Sequence, residues 1–443
     1  GLLVLAGPLS RLLGNWLPRW LAIVIAVPVA AQLACQPVII LLDASLPTYG
    51  VVANLLAAPA APVATVVGLL ACVMLAIVPP LGVALCWLAW LPSAWIAGVA
   101  EFFAALPAAR LPWLAGAPGA VLLAALGGAV VLLAIGGRRW QRRAAAVLVL
   151  ALVVYLGVVG GSRINTVLTR PADWQLAACD VGQGDAMLVR SAERVALIDA
   201  GPDPALLKQC LDELGIARID LLVLTHFDLD HAGGASALLG RVDIVMAGAG
   251  NAPSDSLLLR RFADGGATVH HGWRGSAGTL GELQWTVLWP MPAQGVPLAR
   301  YAAGELTAPA VRGGFEIGND SSLIVEFRPG FSCVGGCLSS LFLGDLGEES
   351  QEAVMRANAL RPVDVVKVGH HGSADQSARL YDQLSGTVGL IGVGLGNGYG
   401  HPTDELLAML RDAGTVPART DSGGMVLLEP GPAQGSVNVW TER

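Results

Sequence analysis

The chain has 443 residues, of which 54% are hydrophobic and 14% charged, with a mean hydropathy of +0.60. An ordinary soluble domain carries roughly 25% charged residues, so composition excludes a disordered chain, a basic nucleic-acid-coating protein and a wholly soluble enzyme. Charge divides along the chain: residues 1–161 hold seven basic and two acidic side chains, net +5, and the remainder is net −12.

A membrane span needs about 20 consecutive apolar residues. Residues 21–42 supply one, with Gln32 and Gln36 as its polar members. Residues 63–91 are long and apolar but broken at Pro79-Pro80, giving two spans or one kinked span with a re-entrant piece. Residues 93–106 form a short segment carrying Glu101, while 119–135 and 144–159 read as uninterrupted spans. Residues 1–13 resemble the stump of another span, and the expected total is five to seven segments. The chain opens at Gly1 inside an apolar run, which reads as a fragment of a longer protein. Asp43 and Glu101 are expected at span ends rather than within the bilayer. An anchor needs one span; several proline-broken spans point to a pore or transporter. The cluster Arg138-Arg139-Trp140-Gln141-Arg142-Arg143 lies between the last two spans, and the positive-inside rule places it in the cytoplasm. One further crossing puts the rest of the chain outside the cytoplasmic membrane.

From Trp174 onward, short apolar runs alternate with amphipathic stretches and glycine turns. Strands are expected at 174–178, 186–189, 195–198, 220–224, 242–245, 284–288, 322–327, 338–343, 363–368 and 388–393. Helices are expected at 204–214, 256–263, 348–358, 377–383 and 403–413. The implied organisation is a polytopic α-helical membrane region at 1–161, a linker at 162–173 and an α/β domain at 174–443.

The chemistry-bearing residues follow apolar strands. Leu221-Leu222-Val223-Leu224 runs into Thr225-His226-Phe227-Asp228-Leu229-Asp230-His231-Ala232-Gly233-Gly234. Imidazole and carboxylate both ligate divalent first-row metals, and a loop leaving a buried strand can turn several toward one point. His226 and Asp228 can face one ion while Asp230 and His231 face a second; a surface acidic turn fits poorly after so apolar a strand. Asp345, just after Leu341-Phe342-Leu343, can bridge two ions, although a Gly-Asp pair alone is more often a turn. In Gly369-His370-His371-Gly372-Ser373, one histidine can be a ligand and the other can contact substrate, and the sequence does not separate them. His401, in Asn397-Gly398-Tyr399-Gly400-His401-Pro402, is a candidate phosphate contact or proton donor. His270-His271 lies in a polar, glycine-rich stretch and reads as surface. Asp180 and Asp185, in Asp180-Val181-Gly182-Gln183-Gly184-Asp185, and Asp199 are candidates for orienting the metal histidines. Turn chemistry or a helix cap explains each equally well.

Together, Asp180-Val-Gly-Gln-Gly-Asp185, Leu-Ile-Asp199-Ala-Gly, the Thr-His226-x-Asp-x-Asp-His231-x-Gly-Gly run, Gly-Asp345, Gly-His370-His371-Gly-Ser373 and Asn397-x-Tyr-Gly-His401-Pro resemble the metallo-β-lactamase domain of the ComEC family, the competence channels that carry transforming DNA across the cytoplasmic membrane. Asn54-Leu-Leu-Ala-Ala-Pro59 and the spans after it resemble the end of that family's competence region. The resemblance covers the whole chain in outline. It implies an αββα sandwich, a helical path for one DNA strand and an outer domain that degrades the other strand. It also implies work beside a ComEA-type DNA receptor and a cytoplasmic helicase in the lipid bilayer.

Two departures from the wider lactamase superfamily matter. Asp228 stands where many members have His, and the segment Gly318-Asn319-Asp320-Ser321-Ser322 stands where another His is usual. Both make the first metal position richer in oxygen, which favours Mn²⁺, or Mg²⁺, over Zn²⁺. The expected metal set is His226, Asp228, Asp230, His231, Asp345, His370 and His371, holding up to two ions. Asp180, Asp185, Asp199, Asn319 and Ser373 would support them or contact substrate. The expected reaction is two-metal hydrolysis of a DNA phosphodiester, with Asp230 handling the proton and His371 or His401 stabilising phosphate charge.

The net −12 opposes this reading, because DNA-binding surfaces are usually basic; Arg260-Arg261 and the metals offset it locally. Two alternatives stand beside it: a metallo-hydrolase of small esters or phosphodiesters, and a DNA channel whose outer domain is catalytically silent. Cys333 and Cys337 are placed to pair if they face an oxidising compartment.

Overall fold

The computed structural model describes residues 2–42, 44–104, 106, 108–250, 252–291, 315–333, 336–433 and 435–443. Asp43 therefore lies outside the described residues. The chain forms two compact units, Gly1–Asn165 and Thr166–Arg443.

In the first unit, five described helices are long and apolar enough to cross a membrane: Arg19–Ile39, Ala60–Ile77, Pro79–Ala104, Gly116–Ile135 and Arg138–Thr169. Shorter helices occupy Leu2–Leu13 and Gly50–Ala57, and Ser45–Pro47 pairs antiparallel with Arg110–Pro112. The apolar run at 63–91 does break at Pro79. Residues 93–106, however, are not a separate segment: 93–104 continue Pro79–Ala104 straight through Pro92. A proline inside an apolar helix frees one carbonyl, which neighbouring groups can satisfy within a membrane helix. Glu101 sits in the last turn of that helix. A Cβ at Gly82 would lie 2.4 Å from the Leu75 amide nitrogen, so only glycine lets Ala60–Ile77 and Pro79–Ala104 fold back this closely. The arginine cluster opens the last helix instead of forming a free loop, and residues 162–169, expected as linker, continue that helix.

The second unit is a four-layer sandwich. One eight-stranded sheet runs, in order, Val437–Thr441, Val426–Pro430, Leu176–Ala178, Met187–Ser191, Arg194–Ile198, Ile219–Leu224, Val242–Ala247 and Thr268–His271. The other, seven-stranded, runs Val416–Arg419, Val388–Ile391, Val365–Lys367, Ser340–Phe342, Ile324–Pro329, Leu283–Trp289 and Ala277–Leu280. The strand period of two divides the apolar residues cleanly. Met187, Ile198 and Val223 of the first sheet meet Val287, Val325, Phe327 and Phe342 of the second in the central core. Leu188, Leu197 and Leu222 point the other way, under helices Pro204–Glu213 and Pro253–Asp264. Helices Glu348–Ala357, Ala378–Leu384 and Asp404–Asp412 cover the outer face of the second sheet. Both faces of each sheet are covered, which is why these strands read as continuous apolar runs.

His271 corrects the sequence reading. It lies in the edge strand Thr268–His271 and is buried, not on the surface. Burial lowers its pKa below the usual imidazole range. The four cysteines of this unit form two disulfides, Cys179–Cys210 and Cys333–Cys337. Cys35, Cys72 and Cys86, all in apolar helices, are free thiols.

Candidate metal centre

Four strands deliver the site from their C-terminal ends, one from the eight-stranded sheet and three mutually parallel neighbours from the seven-stranded sheet. Ile219–Leu224 leads to His226–His231, Ser340–Phe342 to Asp345, Val365–Lys367 to His370-His371 and Val388–Ile391 to Gly392. The loop carrying Asp185 closes the site from beneath. Its amide donates to Asp230 O at 3.1 Å, and a Cβ at Gly184 would lie 2.4 Å from that same oxygen. Glycine is therefore required for the two loops to stack.

Asp185, His231, Asp345 and His371 converge as one buried donor cluster, with donor atoms all within 4.8 Å of one another. His231 Nε2 lies 3.1 Å from Asp345 Oδ2 and 3.2 Å from His371 Nε2. His371 Nε2 lies 3.3 Å from Asp345 Oδ2 and 3.2 Å from Asp230 Oδ2. The opposite ring nitrogens are anchored: His231 Nδ1 donates to Asp199 Oδ2 at 2.8 Å, and His371 Nδ1 to Gly392 O at 2.8 Å. These bonds orient both Nε2 lone pairs inward, the arrangement metal-binding histidines use. Asp199 also accepts from the amide and hydroxyl of Thr225, at 2.7 and 2.8 Å.

Beside this cluster, His226 Nε2 is buried without a hydrogen-bond partner and lies 3.8 Å from Asp228 Oδ2. Its Nδ1 faces the hydroxyls of Thr225 and Ser322, at 3.0 and 3.3 Å. An orphaned buried nitrogen next to a carboxylate, adjoining a converged donor set, fits a divalent ion. Asp230, His231, His371 and Asp345 share one group of contacts, and His226 with Asp228 lies beside it.

Opposite charges face one another throughout the cluster. Burial opposes it, but the carboxylates of Asp345 and Asp199 hold the His231 imidazolium up to about 10. His371 is raised well above its usual range against burial by Asp345 and Asp185. Burial pushes Asp345 up, yet the charges of His231, His371 and Lys367 hold it well below the ordinary carboxylate range. His226 is lowered by burial and by the charge on His231.

The remaining expected residues separate. His371, not His370, enters the cluster; His370 Nε2 stays 4.0 Å from Asp345 Oδ2 at the rim. Both adopt positive φ, +46° and +51°, which turns adjacent side chains to different tasks. Asn319, Asp228, Asp230, His370 and His401 line an open cleft of about 210 Å³ above the cluster, together with Gln183 and Tyr399. Asp185, expected as a supporting residue, belongs to the cluster itself. Asp180 is not brought to the histidines and pairs with Arg443 at 2.5 Å. Ser373 accepts from Gln376 Nε2 at 3.3 Å and shapes its own turn.

One participant escaped sequence reading. Lys367 is buried, and its ammonium pairs with Asp185, donates to Gly344 O at 2.8 Å and lies 3.5 Å from Asp345 Oδ1. It occupies one oxygen of Asp345 and leaves Oδ2 facing the two histidines. The available signal was a lone cation inside Val365-Val366-Lys367-Val368, since a buried strand cannot hold a charge without a partner.

Comparison with known proteins gives two family matches: the metallo-beta-lactamase superfamily over residues 179–302 and the competence protein family over residues 1–139. ComE operon protein 3 of Bacillus subtilis (strain 168) is 29% identical over 272 residues, 56% of this chain and 32% of the relative. Competence protein ComA of Neisseria gonorrhoeae is 30% identical over 350 residues, 77% of this chain and 42% of the relative. The chain thus spans less than half the length of either. Among solved structures, the metallo-beta-lactamase fold protein YhfI of Bacillus subtilis aligns at 12% identity and a TM-score of 0.35, over 56% of this chain and 98% of that one.

Proposed function

Since the chain belongs to the ComEC family, pairing a competence-protein membrane region with a metallo-β-lactamase-superfamily domain, we propose that it serves DNA uptake in natural transformation, its helices passing single-stranded DNA while its second unit hydrolyses phosphodiesters of the strand left outside. The observation that carries the hydrolytic part is the convergence of Asp230, His231, Asp345 and His371 beneath an open cleft, beside the unpartnered Nε2 of His226.

His231, His371, Asp345 and Asp230 would hold one divalent ion, and His226 with Asp228 would hold a second, more weakly. The oxygen-rich second position favours Mn²⁺ or Mg²⁺. When bound, the ions supply Lewis-acid stabilisation of the phosphoryl oxygens. The protein's own groups do the rest. Asp199 and Gly392 O hold the histidine rings in register. Asp230, half-exposed at the cleft floor, takes the proton released on attack. Burial, and the neighbouring charges of His370 and His371, lower the His401 pKa, so its neutral ring at the cleft rim donates a hydrogen bond to a phosphate oxygen.

The outer-face assignment draws support from two features. The arginine cluster opens the last apolar helix, and disulfides occur in the second unit alone among the described residues, as an oxidising compartment would produce. A ComEA-type receptor and a cytoplasmic helicase are the partners this role implies.

The test uses the full chain in lipid nanodiscs with labelled single- and double-stranded DNA and Mn²⁺, Mg²⁺ or Zn²⁺. Cutting is expected with Mn²⁺, and Asp230→Ala/His231→Ala should lower it by more than about 100-fold, the scale already reached by losing outer-shell partners. A folded protein that cuts with none of these metals sinks the nuclease assignment and leaves a silent outer domain.

A further inference from the structure

The loop after Val388–Ile391 ends in an exposed aromatic ring that the hydrolytic chemistry does not use. Tyr399 lines the cleft and is 74% exposed. It stacks on His401, with centroids 6.0 Å apart and planes at 28°. His401 in turn meets the edge of His370 at 5.9 Å, and His370 meets His371 at 6.3 Å. A row of rings therefore runs from the buried cluster to the surface. Its outer end is held in place: Asn397 Nδ2 donates to Gly394 O at 3.2 Å and to His401 O at 2.7 Å, and its Oδ1 accepts from His401 N at 3.1 Å.

A single exposed aromatic is ordinary on a protein surface. This one differs because a second ring backs it, a side-chain clamp fixes its loop, and it borders a cleft. Among the described residues that cleft is lined by Asp228, Asp230 and Asp345 and by no Lys or Arg. Surface cations cannot then supply the affinity for a polyanion that basic grooves provide. What remains is the metal for the phosphate and a flat apolar face for whatever is attached to it. Base–aromatic stacking is tolerant of sequence, because every base has a π-face.

We propose that Tyr399, backed by His401, is a stacking platform for a nucleobase of a single-stranded nucleic acid whose phosphate lies over the metal centre; for its substrate class the inference rests on the phosphodiester reading above. The platform makes affinity depend on an unpaired base, so single strands bind ahead of duplexes whose bases stack on each other.

The experiment measures binding of fluorescently labelled oligothymidylate and of an abasic oligomer of equal length to the full chain in nanodiscs, by anisotropy. Wild type, Tyr399→Ala and Tyr399→Trp are compared, with hydrolysis of bis(p-nitrophenyl) phosphate followed alongside. Tyr399→Ala should raise Kd for oligothymidylate about tenfold, Tyr399→Trp should restore it, and the abasic oligomer should bind wild type and Tyr399→Ala equally weakly. Hydrolysis of the small diester should persist in both variants, its rate free to shift because its nitrophenyl rings can also meet the platform. Equal oligothymidylate binding by wild type and Tyr399→Ala, or abasic binding as tight as oligothymidylate, overturns the platform. Those results with the small diester still cut leave the hydrolase reading standing. A Tyr399-dependent Kd with no cutting of any diester keeps the platform and removes the hydrolase.

Discussion

At His231 a divalent ion would compete with a proton. Its imidazolium is held up to about 10 by Asp345 and Asp199 despite burial, and His371 is raised as well. The sign follows directly. A raised folded pKa stabilises the metal-free fold fully below the ordinary histidine value near 6.5, and that contribution fades as pH rises toward 10. Metal binding needs the bare nitrogens, so it runs the other way. Mn²⁺ affinity should climb between about pH 6 and 9, with one to two protons released per ion. Calorimetry in buffers of different ionisation enthalpy counts those protons, and a pH-independent affinity would refute this assignment of ligands. At this scale the sequence was legible wherever a donor directly follows an apolar strand, as His226, His231, Asp345 and His371 do. It was not legible for Lys367, for the choice between His370 and His371, or for the choice between Asp180 and Asp185. Lys367 meets Asp185 from the opposite sheet and Asp345 from the adjacent strand, and neither neighbour is encoded in local pattern. Asp180 and Asp185 share one short glycine loop, and only its path over Asp230 decides which of them is buried.

Most interior strands were legible as continuous apolar runs, and the sheet edges were not. Strands such as Ile219–Leu224 and Val388–Ile391 are apolar on both faces because both faces are covered. The four edge strands, Thr268–His271, Ala277–Leu280, Val416–Arg419 and Val437–Thr441, were missed because edge strands carry polar, proline and glycine residues that read as loop; Val426–Pro430, an interior strand, was missed as well. Helix Pro79–Ala104 was cut in two on paper because proline is a weaker breaker in an apolar helix than in a soluble one. The Cys179–Cys210 bond, which sequence spacing did not announce, ties the end of Leu176–Ala178 to helix Pro204–Glu213 across 31 residues. Closing a loop of that length is worth about 2–4 kcal/mol. Cys179→Ala/Cys210→Ala should lower the second unit's melting temperature accordingly and loosen the adjoining loop that carries Asp185, as hydrogen exchange at residues 180–185 would report. Unchanged melting and exchange would show that the bond contributes nothing to the site.

For the whole molecule, the governing contrast is between an apolar, net-positive first unit and an acidic second one. Alkaline phosphatase fused to the C-terminus of the full chain in a bacterial host should be active, and green fluorescent protein fused at the same point should be dark, because the arginines that open the last helix favour the cytoplasm. The reverse pair of results would place the second unit inside and overturn the proposed division of labour between strands. The two-part organisation showed itself in charge and hydropathy alone. The strand order that brings two sheets to one edge did not, since it depends on which strands meet in space.

Lys367 gives the site an unusual economy under metal scarcity. An ammonium fixed between Asp185 and Asp345 cannot diffuse away, whereas a bound ion can. When the ions leave, these two carboxylates are not abandoned to mutual repulsion, and Asp345 keeps the orientation its next guest requires. On the proposed reading, such a pocket would empty and refill without rebuilding itself.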